Sequence, residues 1–203
     1  MPGCGTAAPA LEVAMKASMP KPPQRLLDFG FRCDRGGAHS SRTVMLDELT
    51  ALLSYVGRTD ATKANYLRAI DEENCLGKRS GRTRLLTYRH LVELYSLDST
   101  NVLFRALLYF WQRDEAARPM LALLCAYARD SILRSSAPVI LKAPQGAVIT
   151  RELMEAFIDS LEPGRFSTAT LKSTAQNINS SWTKSGHLTG RVKKVRAQAM
   201  PSA

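Results

Sequence analysis

Between residues 74 and 91 the chain reads NCLGKRSGRTRLLTYRHL, five lysines or arginines with no aspartate or glutamate among them. Ser80 or Thr83 can cap the helix that begins there, so Lys78, Arg79, Arg82 and Arg84 gather at a helix N-terminus. The backbone dipole is already positive at that end, and repulsion makes such crowding unfavourable unless an anion is to be held. Backbone N–H groups, the Ser80 hydroxyl and several cationic heads together suit phosphate. Arg89, seven residues beyond Arg82, falls on the same face. The competing reading has these cations neutralised by Asp71, Glu72 and Glu73 just upstream. Three acids cannot balance five bases, which favours a ligand.

A second set of candidates lies in STATLKSTAQNINSSWTKSGHLTGRVKKVRA, residues 167–197. Leu171, Ala175, Ile178 and Trp182 recur at i, i+4, i+7 and i+11, the stripe by which a helix packs on a core. The remaining surface offers Lys172, Gln176, Asn177, Asn179 and Lys184. Asn and Gln amides can pair with base edges, while lysine reaches phosphates. A helix and a break at Glu162-Pro163-Gly164 come before this segment. After it come Gly186, Gly190 and an alternating RVKKV that brings Arg191, Lys193, Lys194 and Arg196. Helix, turn, polar helix and basic hairpin follow one another as in a winged helix-turn-helix. The plainer alternative is a solvated polar helix with a basic tail.

Chemistry other than binding finds no residues at the spacing it needs. His39, His90 and His187 stand in no triad or zinc pattern and are expected at the surface. The four cysteines, Cys4, Cys33, Cys75 and Cys125, show no CxxC spacing and read as reduced thiols of a cytoplasmic protein. Asp71, Glu72 and Glu73 are adjacent on one helix and point apart, so they do not make a nuclease metal site. A phosphate-cradling glycine loop is missing. The expectation is no catalytic residue, no metal and no cofactor.

The elements that must position these residues are mostly helices. TVMLDELTALLSYV carries Val44, Leu46, Leu49, Leu52, Leu53 and Val56 at helical spacing, with Gly57 as a stop. Asp60 or Thr62 can cap the next helix, which ends in the acidic run before Asn74. Asp98 or Ser99 can cap TNVLFRALLYFWQRD, apolar nearly all round, so Phe104, Tyr109, Phe110 and Trp111 are expected in the core. Pro119 suits the first turn of PMLALLCAYARDSILR, read as one helix. APVILKAPQGAVIT, with its prolines and glycine, reads as a connector over 137–149 holding a small hairpin, and Thr150 caps the helix beyond. The 203 residues include 28 Lys+Arg and 18 Asp+Glu, a net +10. Residues 74–92 hold five of those bases and residues 163–203 hold seven; removing these twelve leaves 16 bases against all 18 acids, a remainder of −2. Positive charge is therefore concentrated, as on a polyanion-binding surface. No run approaches the ~20 apolar residues of a membrane span, and the Ala-, Pro- and Gly-rich residues 1–24 read as a disordered tail without a secretory signal.

The run NCLGKRSGRTRLLTYRHLVELY, the helical middle and the closing STATLKSTAQNINSSWTKSGHL resemble the BrxA proteins, small accessory members of BREX bacteriophage-exclusion systems. The likeness spans approximately residues 25–196 and is sharpest at Asn74, Leu76, Lys78, Arg79 and Ser80 and over Thr170–Gly186. It implies a non-enzymatic, largely α-helical protein that binds DNA beside other components of a defence system. The combined expectation is an all-α chain of two small helical subdomains. Residues 25–136 form an N-terminal domain, 137–149 the connector, 150–196 a winged-helix-like segment with a short β-hairpin wing, and 197–203 a tail. Its expected partner is double-stranded DNA, held mainly by phosphates with weak sequence preference. Further expected partners are components of the defence system, and no membrane contact is expected. The alternatives are a protein-interaction adaptor and an RNA-binding helical module.

Overall fold

The computed structural model describes residues 23–34 and 36–200; residues 1–22 of the expected N-terminal tail lie outside them. Over this span the protein is all-α with a small β wing. The helices are α1 (Gln24–Phe29), α2 (Leu46–Val56), α3 (Lys63–Asp71), α4 (Gly81–Tyr95), α5 (Val102–Trp111), α6 (Arg118–Arg129), α7 (Ser131–Leu141), α8 (Arg151–Leu161) and α9 (Thr168–Lys184). A 3-10 turn covers Ala38–Ser40, and three short strands, β1 (Val148–Ile149), β2 (Leu188–Thr189) and β3 (Lys194–Arg196), form one antiparallel sheet in the order β1-β3-β2. Val148 pairs with Val195, and Thr189 pairs with the same residue from the other side.

Local chemistry explains most of the helix ends. Thr62 and Asn65 form a reciprocal capping box on α3. Thr150 caps α8 by accepting the Leu153 N–H, and Ser167 caps α9 by accepting that of Thr170. Gly57 closes α2 in the left-handed conformation at φ 61°. Four expectations are corrected. Asn101, rather than Asp98 or Ser99, caps α5, its Oδ1 accepting the Phe104 N–H. The single helix read from Pro119 onward is two, divided at Asp130, whose extended backbone and carboxylate start α7. The connector is shorter than 137–149 because α7 continues through Pro138 to Leu141. There the burial of Ala137, Val139 and Ile140 outweighs the one helical bond that a proline removes. No hairpin forms in that segment; β1 pairs across the chain with β3 instead.

Every helix after the first contributes to one connected apolar core that runs from Ala38 to Leu188. Trp182, Tyr66, Tyr95 and Phe104 are its largest enclosed side chains. Of the four aromatic residues expected inside on α5, Phe104 and Trp111 are buried, whereas Tyr109 and Phe110 stand half exposed at the C-terminal end of the helix. They lie edge to face against each other, and Arg113 stacks over the Tyr109 ring.

His39, expected at the surface, is enclosed completely. Its Nδ1 meets Asp130 Oδ2 at 2.8 Å and its Nε2 meets Ser181 Oγ at 2.9 Å. The Asp130 carboxylate also accepts the N–H groups of His39, Ile132 and Leu133. Burial pushes the Asp130 carboxyl up, but the charge and hydrogen bond of His39 and those backbone donors outweigh it, leaving its pKa below the ordinary value. Aspartate, histidine and serine in line have the layout of a nucleophilic triad, yet all three are sealed from solvent. Ser181 Oγ is further occupied by the Val44 N–H and the Asn177 carbonyl. The arrangement locks the 3-10 turn, the α6–α7 junction and α9 together, and no substrate can reach it.

Candidate nucleic-acid interface

Helix α8 stops at Leu161, Gly164 turns the chain at φ 75°, and α9 returns across α8 in the most extensive helix contact of the fold. The chain then leaves α9 through Gly186 into β2, the wing tip at residues 190–193, and β3. Taken from α7, the order is helix, strand, helix, helix and hairpin, with the last strand paired between the other two. The wing tip depends on Gly190. Its φ is 90°, and a Cβ built there would lie 2.1 Å from the Lys193 carbonyl oxygen. Gly190→Ala should therefore cost about 1–3 kcal/mol or re-route the tip. The expected readout is a modest fall in Tm with a larger loss of whatever binding the wing supplies.

Between α9, the wing and the start of α8 lies a groove of about 690 Å³. Gln176, Asn179 and Ser180 face it from α9, Arg191, Lys193 and Lys194 from the wing, and Thr150, Arg151 and Glu152 from α8. The spacing of 176, 179 and 180 is one side of a helix, and Lys172 extends that stripe by one turn. Arg191 and Lys193 are exposed and have no acidic partner among the described residues. Lys194 Nζ bonds the Gly190 carbonyl at 2.7 Å and so braces the tip. Arg196 turns inward, donating to the carbonyls of His187 and Ala197. Arg151 pairs with Glu152 and Glu155.

The structure separates the other C-terminal candidates. Lys172 and Gln176 are exposed. Asn177 turns to the protein body, donating from Nδ2 to the His39 carbonyl at 3.1 Å. Lys184 pairs with Asp47 at 2.8 Å. Asn179 is only 4% exposed, too deep to meet the edge of a paired base, and its Oδ1 has no partner among the described residues. Asn177, Lys184 and Arg196 are thus engaged in bonds within the protein. The first and last, both half-buried, meet backbone carbonyls, and the second meets a neighbouring carboxylate.

In the first basic segment, Ser80 caps α4 by accepting the Thr83 N–H at 3.2 Å. Lys78 is held by Glu48 at 3.1 Å and Arg84 by Asp71 at 3.3 Å. Glu73 is taken by Arg68. Neutralisation by acids is therefore real for two of the five cations, though one of the acids comes from α2. Arg79, Arg82 and Arg89 remain exposed without an acidic partner among the described residues. Asp47 and Glu48, adjacent in the first turn of α2, hold Lys184 and Lys78 respectively, so one helix end touches both basic segments. Elsewhere, Arg129 and Arg134 bond backbone carbonyls around the N-terminal segment and are structural.

Sequence reasoning missed Arg151 as a groove residue, because only the β1–β3 pairing carries it to the wing. It also missed the depth of Asn179. Among the described residues no cluster of His, Cys, Asp and Glu could hold a metal, and no helix is long and apolar enough to cross a membrane. Compared with known proteins, the chain matches no family model and no curated protein.

Proposed function

We propose that this protein is a non-enzymatic double-stranded DNA-binding protein that serves a BREX-type defence system, in line with the BrxA resemblance of its sequence. The observation that carries the proposal is the survival, in the two basic segments, of six exposed cations without an acidic partner among the described residues. They are Arg79, Arg82 and Arg89 around α4, and Lys172, Arg191 and Lys193 on α9 and the wing. Most of the other cations in those segments are neutralised or turned inward, so what remains is a set of phosphate contacts. The exposure of Gln176 on the same stripe of α9 as Lys172 supports an amide contact with a base edge.

Six phosphate contacts set the scale of the salt effect. Log K should fall against log salt with a slope of about −5, and sequence preference should be weak. Titration of a labelled duplex at several salt concentrations measures this slope. A slope near zero, or no retention at low salt, would overturn the proposal. Duplex RNA of equal length, with its narrow and deep major groove, should compete poorly; equal competition would instead support the RNA-binding alternative.

A further inference from the structure

We propose that the groove between α9 and the wing holds one unpaired nucleotide, with its phosphate on Arg191 and Lys193 and its base edge on the amides of Asn179 and Gln176. The proposal rests on the DNA-binding reading for the source of that nucleotide, and on the groove itself for its chemistry. The key residue is Asn179. A buried amide oxygen without a donor is costly, and folded proteins seldom keep one without a use. Hydrophobic residues of similar size would fill the position more favourably, as Ala175 and Ile178 do on the neighbouring face.

Depth and size define the ligand. Asn179 is 4% exposed at the floor of a space of about 690 Å³, room for a nucleotide but not for a duplex. Only a slender, unstacked group can approach the floor. Such a group needs hydrogen-bonding edges, because an Asn amide presents both a donor and an acceptor, and a half-turn about its outer torsion exchanges the two cheaply. Val148 and Val192, both exposed on the groove walls, offer apolar faces for a base. Four cationic side chains and one carboxylate surround the space; that carboxylate, Glu152, is already paired with Arg151, and Arg191 and Lys193 are left for a phosphate. The start of α8 adds Thr150, Arg151 and Glu152 to the lining, with Thr150 Oγ1 capping the Leu153 N–H.

The test compares three probes by anisotropy on the full chain: a fully paired duplex, the same duplex with one bulged nucleotide, and the four free deoxynucleoside monophosphates as competitors. The bulged duplex should bind about tenfold more tightly than the paired one. Asn179→Leu should erase that preference, leave the paired duplex unchanged, and raise Tm by about 2–4 °C by removing an unpaired buried acceptor. Arg191→Ala, on the exposed wing, should weaken the preference without affecting folding. Equal affinity of the wild type for the two duplexes, with no competition by mononucleotides, overturns the nucleotide site and leaves duplex binding standing. A lower Tm with an intact preference in Asn179→Leu overturns it as well, since the amide would then serve packing alone. Mononucleotide binding that depends on Asn179, with neither duplex retained, would keep the site and sink the duplex reading.

Discussion

Replacing both Arg79 and Arg82 with glutamate should lower duplex affinity by about a hundredfold near 0.1 M salt and flatten the salt slope by about two. Both side chains are exposed, neither has an acidic partner among the described residues, and both sit at the positive end of α4. The substitution removes two phosphate contacts and sets two carboxylates against the same strand. Folding should be unaffected, because the cap comes from Ser80 and the ion pairs from Lys78 and Arg84. A matched control reverses Arg25 and Arg105, which are also exposed but lie outside both basic segments. Equal losses from the two pairs would mean that net charge, not a defined surface, drives binding.

Asp130→Ala should be strongly destabilising, at about 3–5 kcal/mol. It leaves the His39 ring and backbone N–H without their acceptor and uncaps α7, leaving the N–H groups of Ile132 and Leu133 unmatched in the interior. Urea titration at neutral pH measures the loss as a lower midpoint with an unchanged slope. Asp130→Asn keeps an oxygen for the cap and should lose less. The pH dependence follows from the sign of the Asp130 shift. Its pKa is lowered in the folded protein, so the unfolded chain binds the proton more readily. The stabilisation is present above the ordinary carboxylate value and is lost as pH falls through the lower folded value. The wild type should therefore lose stability on the acid side, and Asp130→Asn should remove that part of the acid limb.

Much of the secondary structure could be read along the chain. The stripes Leu46–Val56 and Leu171–Trp182 gave helices where their period required them, and Ser80, Thr62 and Thr150 capped as their positions implied. Gly164 and Gly190 fell where a left-handed turn was needed. The α5 cap was a local misplacement, whereas two other errors share one cause, competition from residues distant in sequence. Asp130 breaks a helix that its neighbours favour because His39, 91 positions away, gives its carboxylate a partner. Pro138 stays in a helix because the core accepts the residues around it.

The candidate site divides in the same way. Sequence alone determined that positive charge is concentrated in two segments, and that the second of them runs helix, turn, helix and hairpin, because charge and hydrophobic period are local properties. Only the tertiary structure decided which cations remain available. Glu48 comes from α2 to neutralise Lys78, Asp47 holds Lys184, and Asn177 turns to the His39 carbonyl. The pairing of β1 with β3 brings Arg151 and the wing around Asn179. Whether a charged group is free or paired depends on what lies within about 4 Å of it, and across 30 or 137 residues of chain that distance is set by core packing.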